Sequence, residues 1–322
     1  KKFKEKINSN DCIAVNSGTA ALNLALSLDD VRGKDVILPS LSFVSTAHAI
    51  SLSGGKPVFV DVDENTLCLD PDLIEQSITK RTKVILPVHF AGMPCDMDKI
   101  TKLCKNKNLS LIEDAAHAVG ASVKNKKIGS HGKCVCFSFH PVKNLAMPTG
   151  GMIAINDRKH KKIRDILLAS RWCGITNRNG PYYDVENIGW NYYMNEFSAT
   201  IGLIQLNRLN NSNQIRQNIA KRFCKELNVE QTIPYTKNCV YHIFWILVKN
   251  RKSFIKKMLD LGIETGIHYR PIHNLTYYNK KNSKLPVTDK ISKEIVSIPI
   301  HPNLSDYDVN YIIKSVNKIM KY

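Results

Sequence analysis

Long apolar runs, paired cysteines and an apolar leader are all missing from this 322-residue sequence. No uninterrupted apolar run approaches the ~18 residues that a membrane-spanning helix needs, so an integral membrane protein is not expected. The nine cysteines are scattered singly except for Cys134 and Cys136, and the absence of a CxxC pair gives no indication of a zinc ribbon or a redox motif. Residues 1–6 are charged except for Phe3 and no apolar segment follows them, so no secretory signal is expected. These absences predict a protein of the reducing cytoplasm.

Acidic residues are few, since 28 Asp and Glu stand against 46 Lys and Arg, which gives a formal charge of +18. Such a charge can indicate a protein that binds nucleic acid or a membrane surface. Here the lysines are spread along the chain and often stand beside asparagines, as in residues 105–108, 124–127 and 279–282. This pattern favours a solvated surface, so we predict no nucleic-acid partner and no membrane partner. A basic nucleic-acid-binding protein stays as the alternative from another class.

Short β-branched runs alternate with helical patterns through the first two-thirds of the chain, and 43% of all residues are hydrophobic, as in ordinary globular proteins. Alternating strands and helices predict an α/β protein with a mainly parallel sheet and helices on both faces. The predicted strands are residues 36–38, 58–61, 84–88, 109–113, 134–140 and 151–155. The predicted helices between them are residues 19–28, 43–52, 71–78 and 96–105.

A long helix is predicted over residues 195–227, and the pattern of the chain changes after Val229. The last third is predicted to contain strands at 240–248 and 264–269, a helix at 253–261, and helices near Lys290 and Asp306. At roughly 150 residues per domain, the length suggests two domains. We predict a large α/β domain over residues 1–210 and a smaller α+β domain over residues 211–322.

The first candidate site is N-S-G-T-A-A at residues 16–21, which follows the apolar stretch 12–15 and opens a predicted helix. Unpaired N–H groups and the helix dipole make a helix start an anion site. Gly18 would let the backbone approach a phosphate, and Thr19 would add a hydroxyl donor. The alternative is an ordinary helix cap, which is the simpler interpretation of this motif taken alone.

The second candidate site is L-I-E-D-A-A-H at residues 111–117, where a buried strand runs directly into acids and a histidine. Ligands of open α/β sheets bind beyond the carboxyl ends of the strands. The carboxylate of Asp114 would suit a buried cationic partner, such as a protonated pyridine nitrogen. Two alternatives are a capping aspartate and a metal site through Asp114 and His117, although a third ligand is lacking nearby in sequence.

The third candidate site is V-C-F-S-F-H-P-V-K-N at residues 135–144. Strand alternation places Ser138 and His140 on one face, and Lys143 follows the strand at the same sheet edge as Asp114. A lysine in such a place is usually a solvated loop residue, but it can also form a Schiff base with a carbonyl cofactor. With an ordinary pKa of about 10.4 its amine would need activation. A phosphate site, an acid for a pyridinium and a lysine for an imine are the three anchors that pyridoxal 5′-phosphate (PLP) requires. Their occurrence together favours a PLP site over coincidence.

With these motifs the sequence resembles the DegT/DnrJ family of PLP-dependent sugar-nucleotide aminotransferases over nearly its whole length. The matching motifs are N-S-G-T-A-A-L at 16–22, L-S-F-V-S-T at 41–46, P-V-F-V-D-V-D at 57–63, P-V-H-F-A-G at 87–92, I-E-D-A-A-H-A at 112–118, F-S-F-H-P-V-K-N at 137–144, G-G at 150–151, G-W-N-Y-Y-M at 189–194 and G-I-H-Y at 266–269. The resemblance implies the aspartate aminotransferase-like fold, known as fold type I, with a smaller C-terminal α+β domain.

The resemblance also implies a role for each matching residue. Lys143 would hold PLP through a Schiff base and later carry the proton between the substrate carbon and the cofactor. Asp114 would pair with the pyridine nitrogen, and Phe43 would stack on the ring. His117 would pack near the opposite face of the ring or its phenolic oxygen. The phosphate would be held by Gly18, Thr19, Ser138 and, from the other subunit of a homodimer, Asn191.

The implied reaction moves the amino group of L-glutamate onto a nucleotide-linked keto sugar in amino-sugar biosynthesis, with the motifs closest to enzymes that aminate C4 of a UDP-4-keto sugar. The alternatives are an amino-acid aminotransferase, a degenerate non-catalytic homologue and a sugar dehydratase. Lys143 disfavours the dehydratase, because those enzymes carry histidine at this position.

Family members usually begin some tens of residues earlier, and many carry arginine where this chain has Tyr193. Candidates for gripping the nucleotide are Arg171, His268, Tyr269 and His301.

Overall fold

A computed structural model describes residues 1–279 and 284–321 of the chain, so part of the Lys/Asn-rich stretch at 279–282 lies outside the described residues. The strands are β1 (Asp11–Val15), β2 (Asp35–Pro39), β3 (Lys56–Val60), β4 (Thr82–Ile85), β5 (Ser110–Asp114), β6 (Ser122–Val123), β7 (Lys126–Lys127), β8 (Cys134–Ser138), β9 (Gly151–Ile155), β10 (Ile175–Asn179), β11 (Tyr182–Val185), β12 (Phe244–Leu247) and β13 (Ile295–Ile298). The helices are α1 (Lys2–Ile7), α2 (Gly18–Ser27), α3 (Ser45–Leu52), α4 (Pro71–Ser77), α5 (Met97–Asn106), α6 (His160–Arg171), α7 (Glu196–Glu226), α8 (Arg251–Asp260), α9 (Pro286–Glu294) and α10 (Asp306–Met320).

The main sheet has the strand order β1-β9-β8-β5-β4-β2-β3. Strands β3, β2, β4, β5 and β8 pair in parallel, whereas β9 runs antiparallel to both of its neighbours, β8 and β1. The predicted α/β class with a mainly parallel sheet is therefore confirmed. Strands β1, β5 and β8 all end at the same edge of the sheet, which sets up the site described below.

The sheet is buried on both faces. Along β2, Val36 and Leu38 belong to one hydrophobic cluster with residues of α2, α3 and α6, while Ile37 belongs to the cluster on the other face. All three side chains are fully buried. Full burial of each such side chain contributes about 1.5–3 kcal/mol relative to exposure, so the packing on two faces fixes the strand positions.

The long helix predicted over 195–227 is α7, whose first turn is capped by the Asn195 side chain accepting from the N–H of Ser198. The predicted domain boundary between residues 210 and 211 lies within this helix, and the division into two domains stays a prediction. Beyond α7, β12 and β13 form an antiparallel pair next to α8, α9 and α10. In the described part of the chain, no helix combines the length and the apolar character that crossing a bilayer requires.

Two predicted strands of the last third differ from the structure. The strand predicted over 240–248 begins only at Phe244, because Tyr241 has a left-handed backbone with φ of 44°. The strand predicted over 264–269 is wrong: the segment makes a single isolated bridge, from Gly266 to Ser297. Strand β13 pairs with β12 along one edge, and the segment meets β13 at Ser297 alone before it continues as a loop.

Candidate active site

A cavity of about 300 Å³ opens at the edge of the main sheet where β5 and β8 end. Ligands of parallel sheets bind beyond the carboxyl ends of the strands, so this is the expected place for a site. The predicted site residues that line it are Gly18, Thr19, Phe43, Asp114, His117, Ser138 and Lys143. Asn191 is the predicted residue that does not line it; in this chain its carbonyl accepts from the Asn16 side chain at 3.4 Å. The roles of these residues stay predictions.

The start of α2 forms one wall of the cavity. The Ser17 side chain accepts from the N–H of Ala20 at 3.1 Å and caps the helix, while Gly18 and Thr19 line the cavity. The first N–H groups of a helix have no backbone acceptor within the helix, so those of Gly18 and Thr19, which Ser17 does not cap, are available to an anion. A Cβ atom on Gly18 would lie 2.8 Å from the Cβ of Ser138, so only glycine allows α2 and β8 to approach this closely.

Asp114 ends β5 and is buried, with 5% of its surface exposed. One of its carboxylate oxygens accepts from the hydroxyl of Thr46 at 2.8 Å, and the other accepts from the N–H of Ala116 at 3.1 Å. Burial raises the pKa of Asp114, and these hydrogen bonds oppose the rise. Because burial penalises an unpaired carboxylate, this position favours a cationic partner from a bound ligand.

Lys143 lies in the turn after β8, where its N–H donates to the carbonyl of His140 at 2.8 Å. Its amine lies 3.4 Å from Nε2 of His242 rather than in bulk solvent. Burial lowers the pKa of Lys143 to about 8, although the charge of Asp114 opposes this shift. At pH 7 about a tenth of such amines are neutral, against fewer than about one in a thousand for an unperturbed lysine, so the amine is activated as a nucleophile and as a base.

His117 is held by two hydrogen bonds. Its Nδ1 accepts from the N–H of Ala91 at 3.3 Å, which places the ring proton on Nε2, and Nε2 lies 3.3 Å from the hydroxyl of Tyr269. Burial, followed by the charge of Lys143, lowers the pKa of His117 well below its usual value. The ring is therefore neutral at pH 7 and presents a fixed face to the cavity.

Phe43 lies at the mouth of the cavity, and 57% of its surface is exposed. This exposure excludes Phe43 as an ordinary residue of the hydrophobic core. The Phe43 ring lies 6.0 Å from the ring of Tyr269, one of the candidates for nucleotide binding, which also lines the cavity. The two aromatic rings border the same opening, where a flat ligand would enter.

The other candidates for nucleotide binding lie outside the cavity lining. Arg171 donates to the carbonyl of Ala14 at 2.8 Å and so ties α6 to β1. His268 pairs through Nδ1 with the hydroxyl of Ser297 at 2.9 Å, and His301 is exposed. Sequence analysis did not identify His242, which contacts Lys143 although 99 residues separate them. No local pattern around His242 distinguishes it from a strand residue.

Comparison with known proteins gives consistent results over nearly the whole chain. Residues 1–317 match the family described as the DegT/DnrJ/EryC1/StrS aminotransferase family. The chain is 36% identical to the spore coat polysaccharide biosynthesis protein SpsC of Bacillus subtilis, over 100% of this chain and 88% of that protein. It is 34% identical to GDP-perosamine synthase of Escherichia coli O157:H7, over 98% of this chain and 88% of that protein.

The fold is also that of a solved structure. The PLP-form of the putative sugar aminotransferase Spr1654 from Streptococcus pneumoniae superposes with a TM-score of 0.93 at 26% identity, over 99% of this chain and 89% of that chain. The PMP-form of the same protein superposes with a TM-score of 0.94.

Proposed function

The chain belongs to the DegT/DnrJ/EryC1/StrS aminotransferase family and is a PLP-dependent sugar aminotransferase of fold type I; we propose that it transfers the amino group of L-glutamate to a nucleotide-linked keto sugar. The observation that carries the proposal is the meeting of Lys143 and Asp114 in one cavity with the start of α2.

The cavity residues fit PLP. The start of α2 beside Ser138 offers an anion site for the phosphate, and the close approach at Gly18 brings the helix start and Ser138 together at that site. We assign Asp114 to the pyridine nitrogen, Phe43 to one face of the ring and Lys143 to the aldehyde carbon. When bound, PLP supplies the electron sink that stabilises a carbanion at the substrate carbon.

The protein's own groups supply position and proton transfer. An amine with a pKa of about 8 is present in both protonation states near neutral pH, so Lys143 can take a proton and return it. The buried carboxylate of Asp114 gains a cationic partner when the pyridine nitrogen is protonated, and thereby keeps it protonated. Neutral His117, fixed through its contact with Tyr269, packs against the ligand without adding charge.

We also propose a homodimer with a shared site. Asn191 lies outside the cavity of its own chain, and large apolar side chains nearby are exposed: Tyr182 at 78%, Ile188 at 92% and Phe197 at 84%. Exposed apolar surface of this extent is typical of an interface. A second copy that covers this surface would bring its own Asn191 to the phosphate.

For the acceptor we propose C4 of a UDP-linked 4-keto sugar, on the resemblance of the motifs at 87–92, 112–118 and 266–269. The relative named for GDP-perosamine makes a GDP-linked sugar the competing acceptor. We place the enzyme in the cytoplasm, which the free thiols of the described cysteines support.

Substrate-dependent changes in the cofactor spectrum test the proposal. L-glutamate should remove the visible band of the PLP-loaded protein, and a UDP-linked 4-keto sugar should restore it and yield an amino sugar by mass spectrometry. Restoration only by GDP-linked sugars would move the assignment to that nucleotide, and restoration only by 2-oxo acids would indicate an amino-acid aminotransferase.

The remaining alternatives give different outcomes. A dehydrated sugar product would indicate a dehydratase, and no response to glutamate would indicate a non-catalytic homologue. A protein without a visible band that binds polyanions with a steep salt dependence would be a nucleic-acid-binding protein instead.

A further inference from the structure

A chain of side-chain hydrogen bonds leads from the protein interior to the amine of Lys143. Asn213 donates from Nδ2 to the carbonyl of Val119 at 3.0 Å, and its Oδ1 accepts from Nδ2 of Asn144 at 2.9 Å. Oδ1 of Asn144 lies 3.1 Å from Nδ1 of His242, and Nε2 of His242 lies 3.4 Å from the amine of Lys143.

Backbone carbonyls fix the direction of this chain. A carbonyl can only accept, so the bond to Val119 fixes the amide orientation of Asn213. Nδ2 of Asn144 also donates to the carbonyl of Val240 at 3.0 Å, which fixes the Asn144 amide in the same way. Oδ1 of Asn144 must therefore accept from Nδ1–H of His242. In the neutral ring the proton then lies on Nδ1, and Nε2 presents a lone pair to Lys143.

Local backbone geometry holds the chain in place. The segment that carries His242 is bound to the turn after β4 by hydrogen bonds from Val240 N–H to Gly92 O at 3.2 Å and from Ile243 N–H to Ala91 O at 3.3 Å. Gly92 has a φ of 91°, and a Cβ there would lie 3.1 Å from the backbone nitrogen of His242. The close contact leaves His242 little freedom to move away from the cavity.

We propose that His242 is a positioning residue for Lys143: its Nε2 atom accepts from the Lys143 amine and holds it in place whenever the amine carries no covalent bond to the cofactor. The inference rests on the proposed role of Lys143. A free lysine side chain has four rotatable bonds, so it loses its place unless a partner holds it, and proton transfer requires a defined distance to the reacting atom.

The surroundings contain several other titratable groups. Those that face Lys143 or His242 from the neighbouring elements are Asp114, His117, His268 and Arg216. Burial, followed by the charges of Lys143 and Arg216, lowers the pKa of His242 well below its usual value, so the ring stays neutral as an acceptor at pH 7. Only Asp114 among these groups favours the charged form of Lys143.

Two substitutions separate the two functions of the ring. In His242→Asn the shorter side chain keeps an amide donor near the position of Nδ1 but leaves the position of Nε2 without an acceptor. In His242→Gln the longer side chain can place its amide oxygen near the position of Nε2. The matched control is His48→Gln, because His48 is exposed and does not line the cavity.

The test measures the amine directly in cofactor-free protein, by trace labelling with acetic anhydride across pH and peptide mass spectrometry of Lys143. Loss of the acceptor destabilises the ammonium, so His242→Asn should lower the apparent pKa of Lys143 by about half a unit and raise its labelling at pH 7 about threefold. His242→Gln and His48→Gln should keep the original profile. An unchanged profile in a folded His242→Asn protein overturns the proposal.

A second measurement locates the ring proton of His242. Nitrogen-15 NMR of labelled histidine in the cofactor-free protein should find it on Nδ1, with the His242 signal assigned by its absence in His242→Gln, and this signal should change in Lys143→Ala. A proton on Nε2, or no change in Lys143→Ala, contradicts the proposal. A result against the role of His242 would leave the proposed function of the enzyme standing. A visible cofactor band that survives in Lys143→Ala would instead contradict the proposed function itself.

Discussion

The cavity has two walls that are built in different ways. The sheet wall consists of Gly18, Asp114, Ser138 and Lys143, which end or directly follow elements of the main sheet. The loop wall consists of Tyr269, which lines the cavity, and His242, which is not part of the lining but contacts the amine of Lys143. Both residues lie on irregular segments of the last third. Repeated ladder hydrogen bonds bring strand ends together, whereas the loop wall depends on single contacts across long sequence separations. We therefore expect the sheet wall to hold the cofactor and the loop wall to tune the groups that act on it.

The largest effect should come from Lys143→Ala in the sheet wall. Loss of the amine removes the covalent attachment of PLP and the group that moves the proton, so activity should fall by at least about 10³-fold. Absorbance of the PLP-loaded protein checks the attachment, because the visible band should disappear. A band of normal intensity in the variant would contradict the expectation that the sheet wall holds the cofactor.

Asp114→Asn should lower activity by about 10²–10³-fold, since it removes the charge that keeps the pyridine nitrogen protonated. Burial raises the pKa of Asp114 above its unfolded value, so its ionised form costs stability at pH values above that raised pKa. The variant without cofactor should therefore melt at the same temperature or higher. A strong loss of thermal stability together with full activity would indicate a purely structural aspartate.

The pH dependence of Lys143 gives a smaller effect. With a pKa of about 8, its neutral fraction should rise about tenfold between pH 7 and pH 9, against about a hundredfold for an unperturbed lysine. The rate at which cofactor-free protein recombines with PLP should follow the tenfold rise. A hundredfold rise would show that burial does not shift this amine.

Tyr269→Phe in the loop wall should have the smallest effect. It removes the hydroxyl that contacts Nε2 of His117 at 3.3 Å, so kcat should fall about fivefold to tenfold while PLP affinity stays unchanged. Tyr311→Phe is the control, because its hydroxyl donates to the carbonyl of Leu261 on the protein surface. Loss of PLP binding in Tyr269→Phe would show that Tyr269 holds the cofactor, which is the function expected of the sheet wall.

The same difference explains what could be predicted from the sequence. The strand predicted at 151–155 is found as β9 with the same bounds, because apolar runs buried on both faces have a clear local pattern. The sheet-wall residues were predicted as well, because parallel strands end at a common edge and each motif follows a strand. The family resemblance supplied the role of each of these residues.

The loop wall could not be predicted in the same way. The segment 264–269 has strand-like composition, yet it meets β13 only at the bridge between Gly266 and Ser297. The position of His242 depends on Asn144 and Asn213, which come from the turn after β8 and from α7. Such contacts leave no periodic signal in a single sequence.

Covalent mapping of the cofactor tests the central claim most directly. Borohydride reduction of the PLP-loaded protein fixes the cofactor to the lysine that holds it, and peptide mass spectrometry identifies that lysine. We predict a pyridoxyl group on Lys143 and on no other lysine. A pyridoxyl group on a different lysine, or none after reduction, would contradict the account.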